Sequence, residues 1–186
     1  MALFDPIRRF FRGRHGTSVS SRTPRIHLVN QLTESYPGRF VYPGTDFVDD
    51  IELDGQRVGY VDYGINPLGD RLYINMLDIE PEHQRQGIGL GVLWKLWSTH
   101  QVPIVPLHQY ASSDTFWDLA RERFAAAGAL IEDELRINQL DAAKERWQHL
   151  VPEPEHERLQ RELMASDEWP AIKARWEAEY GPCLKD

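Results

Sequence analysis

Leu77-Asp-Ile-Glu-Pro-Glu-His-Gln-Arg-Gln-Gly-Ile-Gly-Leu-Gly91 joins two hydrophobic periods through a glycine-containing turn. Before it, Arg71-Leu-Tyr-Ile-Asn-Met-Leu-Asp-Ile alternates apolar and polar residues, the period of a strand with one buried face. After it, Leu90, Leu93, Trp94 and Trp97 recur at i, i+3, i+4 and i+7, which predicts a helix with one broad apolar stripe that covers the sheet. The chain therefore passes from strand to helix at glycines, where unpaired backbone N–H groups converge on the positive end of a helix. Such a place holds phosphate oxygens. Gly87 and Gly89 allow an anion close to the main chain, and Arg85 screens its charge from the side. A lone Gly-x-Gly is commonly a turn, and it is the strand before and the helix after that make this stretch specific.

Other phosphate loops fit less well. A Walker loop needs Gly-Lys-Ser or Gly-Lys-Thr, which the chain lacks. A Rossmann fingerprint follows the first strand of a parallel unit, whereas antiparallel strands precede this loop. Phe47-Val-Asp-Asp-Ile-Glu-Leu and Arg57-Val-Gly-Tyr-Val-Asp-Tyr flank Asp54-Gly55, a dipeptide suited to the positive φ angles of a tight hairpin. With the strand over residues 71–79 this makes a three-stranded meander, separated at Asn66-Pro-Leu-Gly-Asp. Arg25-Ile-His-Leu-Val-Asn-Gln-Leu is the first strand, followed by turns at Tyr36-Pro-Gly and Tyr42-Pro-Gly.

Downstream, Val102-Pro-Ile-Val-Pro-Leu is a short strand whose prolines place it at an edge, a splay or a bulge. Ser112-Ser113-Asp114 offers N-cap chemistry for a helix through Phe116, Trp117, Ala120 and Phe124 that stops before Gly128. Ala129-Leu-Ile and Glu134-Leu-Arg-Ile are short strands, and the rest reads as helices, with Leu140/Ala143/Trp147/Leu150, Leu159/Leu163 and Trp169/Ile172/Trp176/Tyr180 as buried stripes. The predicted fold class is α/β in the α+β sense: a mixed, mostly antiparallel central sheet flanked by helices, with a helical C-terminal extension.

Composition bounds the alternatives. The 186 residues, 41% hydrophobic with six Trp, seven Tyr and seven Phe, suffice for one domain plus an extension. The single cysteine, Cys183, excludes an intrachain disulfide and a cysteine zinc site, so no metal is expected and a reducing, cytoplasmic setting is. No apolar run approaches the length of a membrane span, and the N-terminus lacks a signal-peptide core. A net charge of −8 disfavours a broad nucleic-acid footprint. Positive charge gathers in the first segment, where Arg8, Arg9, Arg12 and Arg14 alternate with Leu3, Phe4, Ile7, Phe10 and Phe11 at helical spacing. That arm is expected to dock its Phe face on the body or on a second copy, as in a homodimer; the alternative is contact with a membrane surface or nucleic acid.

At the glycine turn the sequence resembles the GNAT acetyltransferase family. Its pyrophosphate loop reads Gln or Arg, two residues, Gly, one residue, then Gly or Ala, and Gln84-Arg85-Gln86-Gly87-Ile88-Gly89 matches fully. Leu77-Asp78-Ile79 before Glu80-Pro81 is similar to that family's fourth strand, which pairs with the pantetheine arm. The resemblance implies acetyl-CoA as cosubstrate, with Leu77 and Ile79 on the arm, Gln84, Arg85, Gln86, Gly87, Ile88, Gly89 and Leu90 at the pyrophosphate, and Ser113 also assigned to the cofactor. The implied organisation is an arm and linker over 1–23, an acetyl-CoA-binding domain over 24–140 and a helical extension over 141–186. Between Thr33 and Asp46 the chain is too short for the two helices the family usually carries there.

The implied reaction is direct attack of an amine on the thioester, which needs a base for the amine's proton, oxyanion donors and an acid for the leaving thiolate. The family often places a Tyr acid in the helix after the fifth strand, where this sequence has Trp117 or Phe124. Tyr110 is the nearest substitute, with Ser112 and Ser113 as poorer acids, and Asp78 is the candidate base beside Tyr73, Asn75, His83 and His108. Asp49, Asp50 and Asp62 read as a solvated strand face. The acceptor is an amine on a small molecule, a peptide or a charged tRNA. The alternative is a catalytically weak GNAT-like module that binds acyl-CoA or another protein.

Overall fold

The computed structural model describes residues 23–181. The N-terminal amphipathic helix expected around Phe4 to Phe11, and Cys183, lie outside the described residues. Five strands form one sheet in the order β1-β2-β3-β4-β5: β1 (Ile26–Glu34), β2 (Thr45–Leu53), β3 (Gln56–Ile65), β4 (Leu72–Ile79) and β5 (Ile104–Pro106). The first four are antiparallel to their neighbours, and β5 is parallel to β4. The meander is thus one strand longer than the three expected, because β1 pairs with β2 along its whole length from Ile26↔Leu53 to Glu34↔Asp46.

The β2–β3 hairpin closes through Asp54 and Gly55 at φ 52° and 79°, the paired positive angles whose twist matches that of the strands they join. Between β3 and β4, Gly69 N–H donates to the Asn66 carbonyl at 2.9 Å and the Asn66 amide donates to Asp70 Oδ1 at 2.8 Å, which fixes the second reversal. The connection from β1 to β2 holds turns and no helix among the described residues, as its length requires.

Helix α1 (Ile88–His100) follows β4, and α2 (Asp114–Ala126) follows β5. Both bury residues in the larger core, where Val92, Leu93, Leu96, Ala120 and Phe124 join Ile51, Val61, Leu72, Ile74 and Ile104. The stripe on α1 is wider than the expected one: Val92 and Leu96 are buried, whereas Trp94 and Trp97 are half-buried and pack on each other at 5.0 Å. Helix α2 ends in a Schellman arrangement, Ala129 N–H to the Phe124 carbonyl and Gly128 N–H to that of Ala125, with Gly128 at φ 75°. Ser113 does not cap it as expected: its hydroxyl donates to the Tyr110 carbonyl at 2.7 Å.

A smaller core lies around Val41, Tyr73, Val105, Leu107 and Trp147. Trp147 follows the short helix α3 (Leu140–Lys144), is 1% exposed and donates from Nε1 to the Tyr42 carbonyl at 3.1 Å. Phe40 stands edge-on to both Tyr73 and Trp147, so the β1–β2 connection is clipped against β4 from beneath. The short strands expected over 129–137 are two parallel bridges, Ile104↔Ile131 and Leu107↔Leu135, on the outer side of β5.

The chain divides into two compact units, the first ending at Leu150 and the second beginning at Val151. The second carries α4 (Glu155–Met164) and α5 (Trp169–Tyr180), with Arg161 forked onto Glu153 at 2.8 and 3.0 Å and Trp176 beside Tyr180 at 5.5 Å. No residue of either helix is buried, which corrects the reading of their Leu and Trp stripes as core. Two short helices lack the surface to enclose a core of their own. Among the described residues no helix is long and apolar enough to cross a membrane.

Candidate acetyl-CoA site

Strands β4 and β5 pair only over Leu72↔Ile104, Tyr73↔Val105 and Ile74↔Pro106, with a last bond from Leu107 N–H to the Ile74 carbonyl at 2.9 Å. Pro106 lacks an N–H, and beyond Leu107 the chain leaves the sheet, with His108 at φ 52°. Strand β4 continues through Asn75, Met76, Leu77, Asp78 and Ile79 with that edge open. A β-bulge marks the parting: Asp62 pairs with Met76 and Tyr63 with Ile74, which leaves Asn75 as the extra residue. Leu77 and Ile79 pack half-buried on the larger core, while Met76 and Asp78 are exposed.

The loop after β4 is braced by its own side chains. Gln84 Nε2 donates to the Ile79 carbonyl at 2.8 Å and Gln86 Nε2 to that of Glu82 at 3.1 Å. These amides hold the turn, so what Gln84 and Gln86 can offer an anion is their backbone. Arg85 and Gly87 both take left-handed angles, φ 60° and 81°. The Arg85 side chain makes no ion pair or hydrogen bond among the described residues. The first bond of α1 runs from Gly91 N–H to the Gly87 carbonyl at 3.0 Å, so the N–H groups of Ile88, Gly89 and Leu90 precede the helical ladder. The two glycines differ in role. Gly87 supplies the turn, whereas a Cβ on Gly89 would lie 3.0 Å from Phe116 Cε2 and 3.1 Å from its Cζ. Gly89 thus admits a neighbouring ring where close approach of an anion was expected.

That contact also brings the first turn of α2 against the first turn of α1. The segment from Tyr110 to Ser113 therefore leads into the helix start that adjoins the glycine loop. Tyr110 is 68% exposed and Ser112 is exposed, while Trp117 and Phe124 are buried in the core and have no proton to give. Asp78 is exposed on the open part of β4, and His83 is half-buried in the short turn Pro81–His83. Glu80, Glu82 and His83 bring ligand atoms within 4.8 Å of one another, and Glu80 is paired with Arg57 at 3.5 Å.

Residues 15–98, which include β1 through nearly all of α1, match the family described as the acetyltransferase (GNAT) family. The GNAT-family match lies in this stretch. Among solved structures, one similar chain is the ribosomal-protein-alanine N-acetyltransferase from Brucella melitensis biovar Abortus 2308, at 15% identity and a TM-score of 0.25, covering 59% of this chain and 66% of that one. No curated protein matches. Within it, the open edge of β4 and the glycine turn are contiguous, and the family's loop pattern falls on the residues with left-handed backbone, Arg85 and Gly87.

The strand face expected to be solvated at Asp49 is buried. Asp49 is 6% exposed and accepts from Asn30 at 2.8 Å and from the Tyr63 hydroxyl at 3.2 Å. Burial first, then the Asp49 charge, pushes the Tyr63 phenol up. Asp50 binds Arg57 at 2.6 Å. Asp46, which the sequence did not single out, is 3% exposed and its carboxyl is pushed up by burial. Its strand neighbours alternate in a way that places it at the same nominal face as Asp50, so only the connection over residues 35–44 folding beneath the sheet reveals its burial.

Proposed function

We propose that the chain is an N-acetyltransferase that moves an acetyl group from acetyl-CoA to an amine by direct attack. The observation that carries this reading is the parting of β4 from β5 beside a helix start with left-handed glycine backbone. An extended amide-bearing arm can pair with the open edge at Leu77 and Ile79, and a pyrophosphate can meet the N–H groups of Ile88, Gly89 and Leu90 with Arg85 at its flank. The residues fit the cosubstrate on these grounds.

Acetyl-CoA supplies an activated thioester carbonyl. The protein's own part is to hold that carbonyl against β4 backbone donors, to exclude competing water and to manage two protons. Asp78 on the open stretch of β4 is the proposed acceptor of the amine's proton, and Tyr110 is the proposed donor to the leaving sulfur, with Ser113 bracing the Tyr110 carbonyl. A reducing, cytoplasmic setting suits a chain with one cysteine. Dimerisation and docking through the N-terminal arm belong to the same proposal.

The second reading, a module that binds acyl-CoA without turnover, is favoured by the burial of Trp117 and Phe124, which leaves α2 without a phenol. Release of free CoA thiol from acetyl-CoA in the presence of pooled amines separates the two. Amine-dependent release supports the transferase, and tight acetyl-CoA binding with no release from any pool supports the module.

A further inference from the structure

Resting on the acetyl-transfer reading, we propose that Asp46, Asp62 and Asn75 seat the ammonium group of the acceptor, so that the acceptor is a cationic aliphatic amine. The three come from different strands. Asn75 is the bulge residue of β4, one position past Ile74, where β5 departs. Its amide nitrogen lies 2.8 Å from Asp62 Oδ1 on β3 and 3.5 Å from Asp46 Oδ1 on β2. The cluster thus sits at the apex of the splay, next to where the thioester is held in the proposed reaction.

Asp46 Oδ2 is buried and has no hydrogen-bond partner among the described residues. The buried Asp49, by contrast, is satisfied by Asn30 and Tyr63, and the half-buried Asp70 by Asn66 and Arg146. The nearest cation, Arg39, spends its hydrogen bonds on Glu34, from Nε at 3.1 Å and Nη2 at 2.6 Å. Glu34 and Asp46 therefore share one guanidinium, Asp62 adds its charge beside Asp46, and the surplus is negative. Asp46 registers this imbalance. Burial pushes its carboxyl up, Arg39 opposes, Asp62 pushes it further, the Asn75 amide opposes, and Glu34 adds to the rise. Leaving a buried carboxylate oxygen unpaired is costly, and a second positive charge on the open side relieves that cost. Asp62 is half-buried and provides the reachable oxygen, with Asp46 behind it. Gly64 keeps the space: a Cβ there would lie 2.9 Å from Asp46 Oδ1. A neutral hydroxyl of the same size gains no charge compensation here, so the cluster selects for charge.

The test is titration of the full chain with 1,4-diaminobutane and with 1,4-butanediol, in the presence and absence of CoA, alongside Asp62→Asn and Asp46→Asn and a separate acetyl-CoA titration of each. The expected result is binding of the diamine but not the diol, weakened at least tenfold by either substitution, with acetyl-CoA affinity unchanged. Diamine binding should also weaken as pH falls and Asp46 takes up a proton. Absence of diamine binding, equal binding of the diol, or equal diamine affinity in the folded variants overturns the seat. Carboxylate-dependent diamine binding without acetyl-CoA binding leaves the seat standing and removes the transfer reading.

Discussion

The amide of Leu107 donates to the carbonyl of Ile74 at 2.9 Å, and this bond is the last that ties β5 to β4. Everything proposed for the site depends on the sheet opening there, on the bulge at Asn75 and on the glycine turn that follows Ile79.

Replacing Gly87 tests the turn. A side chain at φ 81° carries about 1–2 kcal/mol of left-handed strain, more for a β-branched residue. Gly87→Val should lose acetyl-CoA binding, read by titration on a variant whose circular dichroism is unchanged, and Gly87→Ala should weaken it.

Gly89 tests packing. Gly89→Ala presses a methyl group onto Phe116 and should cost about 1–3 kcal/mol of stability, the range for overpacking a filled contact. Denaturant unfolding of Gly89→Ala in a Phe116→Leu background should recover part of the loss, because the leucine gives way where the ring cannot.

Asp46 should be a place where stability is given up. Its folded carboxyl is pushed above the ordinary 3.8, so the folded state is favoured at pH below that value and loses stability as pH rises through the raised value. Asp46→Asn escapes the loss. Its Tm at pH 7 should exceed that of the natural protein by about 2–4 °C, the shift that about 1 kcal/mol produces at this length, and the gain should shrink toward pH 4.

Trp147 anchors the smaller core beneath β4. Trp147→Ala removes its contacts with Phe40 and Tyr73 and strands the Tyr42 carbonyl, and should cost about 3–5 kcal/mol in chemical denaturation.

Local chemistry was the legible part of the sequence. Asp54-Gly55 fixed its hairpin because two positive φ angles admit few dipeptides, and Gly87 signalled its turn for the same reason. What depended on neighbours distant in the chain was hidden. The bulge at Asn75 arises from register between β3 and β4, and no residue at the position announces it. Asp49 read as part of a solvated strand face, although Asn30 and Tyr63 enclose it, and nothing in the sequence marked Asp46, which the connection over residues 35–44 covers. Gln84 matched the phosphate-loop pattern, yet its side chain turns back to the Ile79 carbonyl, a bond that pattern matching does not distinguish from ligand contact. Stripes on α4 and α5 had helical spacing, but spacing alone does not say whether a face is covered.

Tyr110 has the exposure of a residue kept for something other than packing. Tyr110→Phe should leave Tm unchanged and lower turnover by about 10²-fold or more if the phenol protonates the leaving sulfur, with acetyl-CoA affinity by titration unchanged.

The most direct measurement is calorimetric titration of the purified chain with acetyl-CoA, with adenosine triphosphate as the control anion. Binding of acetyl-CoA in the micromolar range, about −8 kcal/mol, with far weaker binding of the nucleotide, is the predicted result. A folded protein that binds neither would reduce Gln84 to Gly89 to a structural turn and contradict the account.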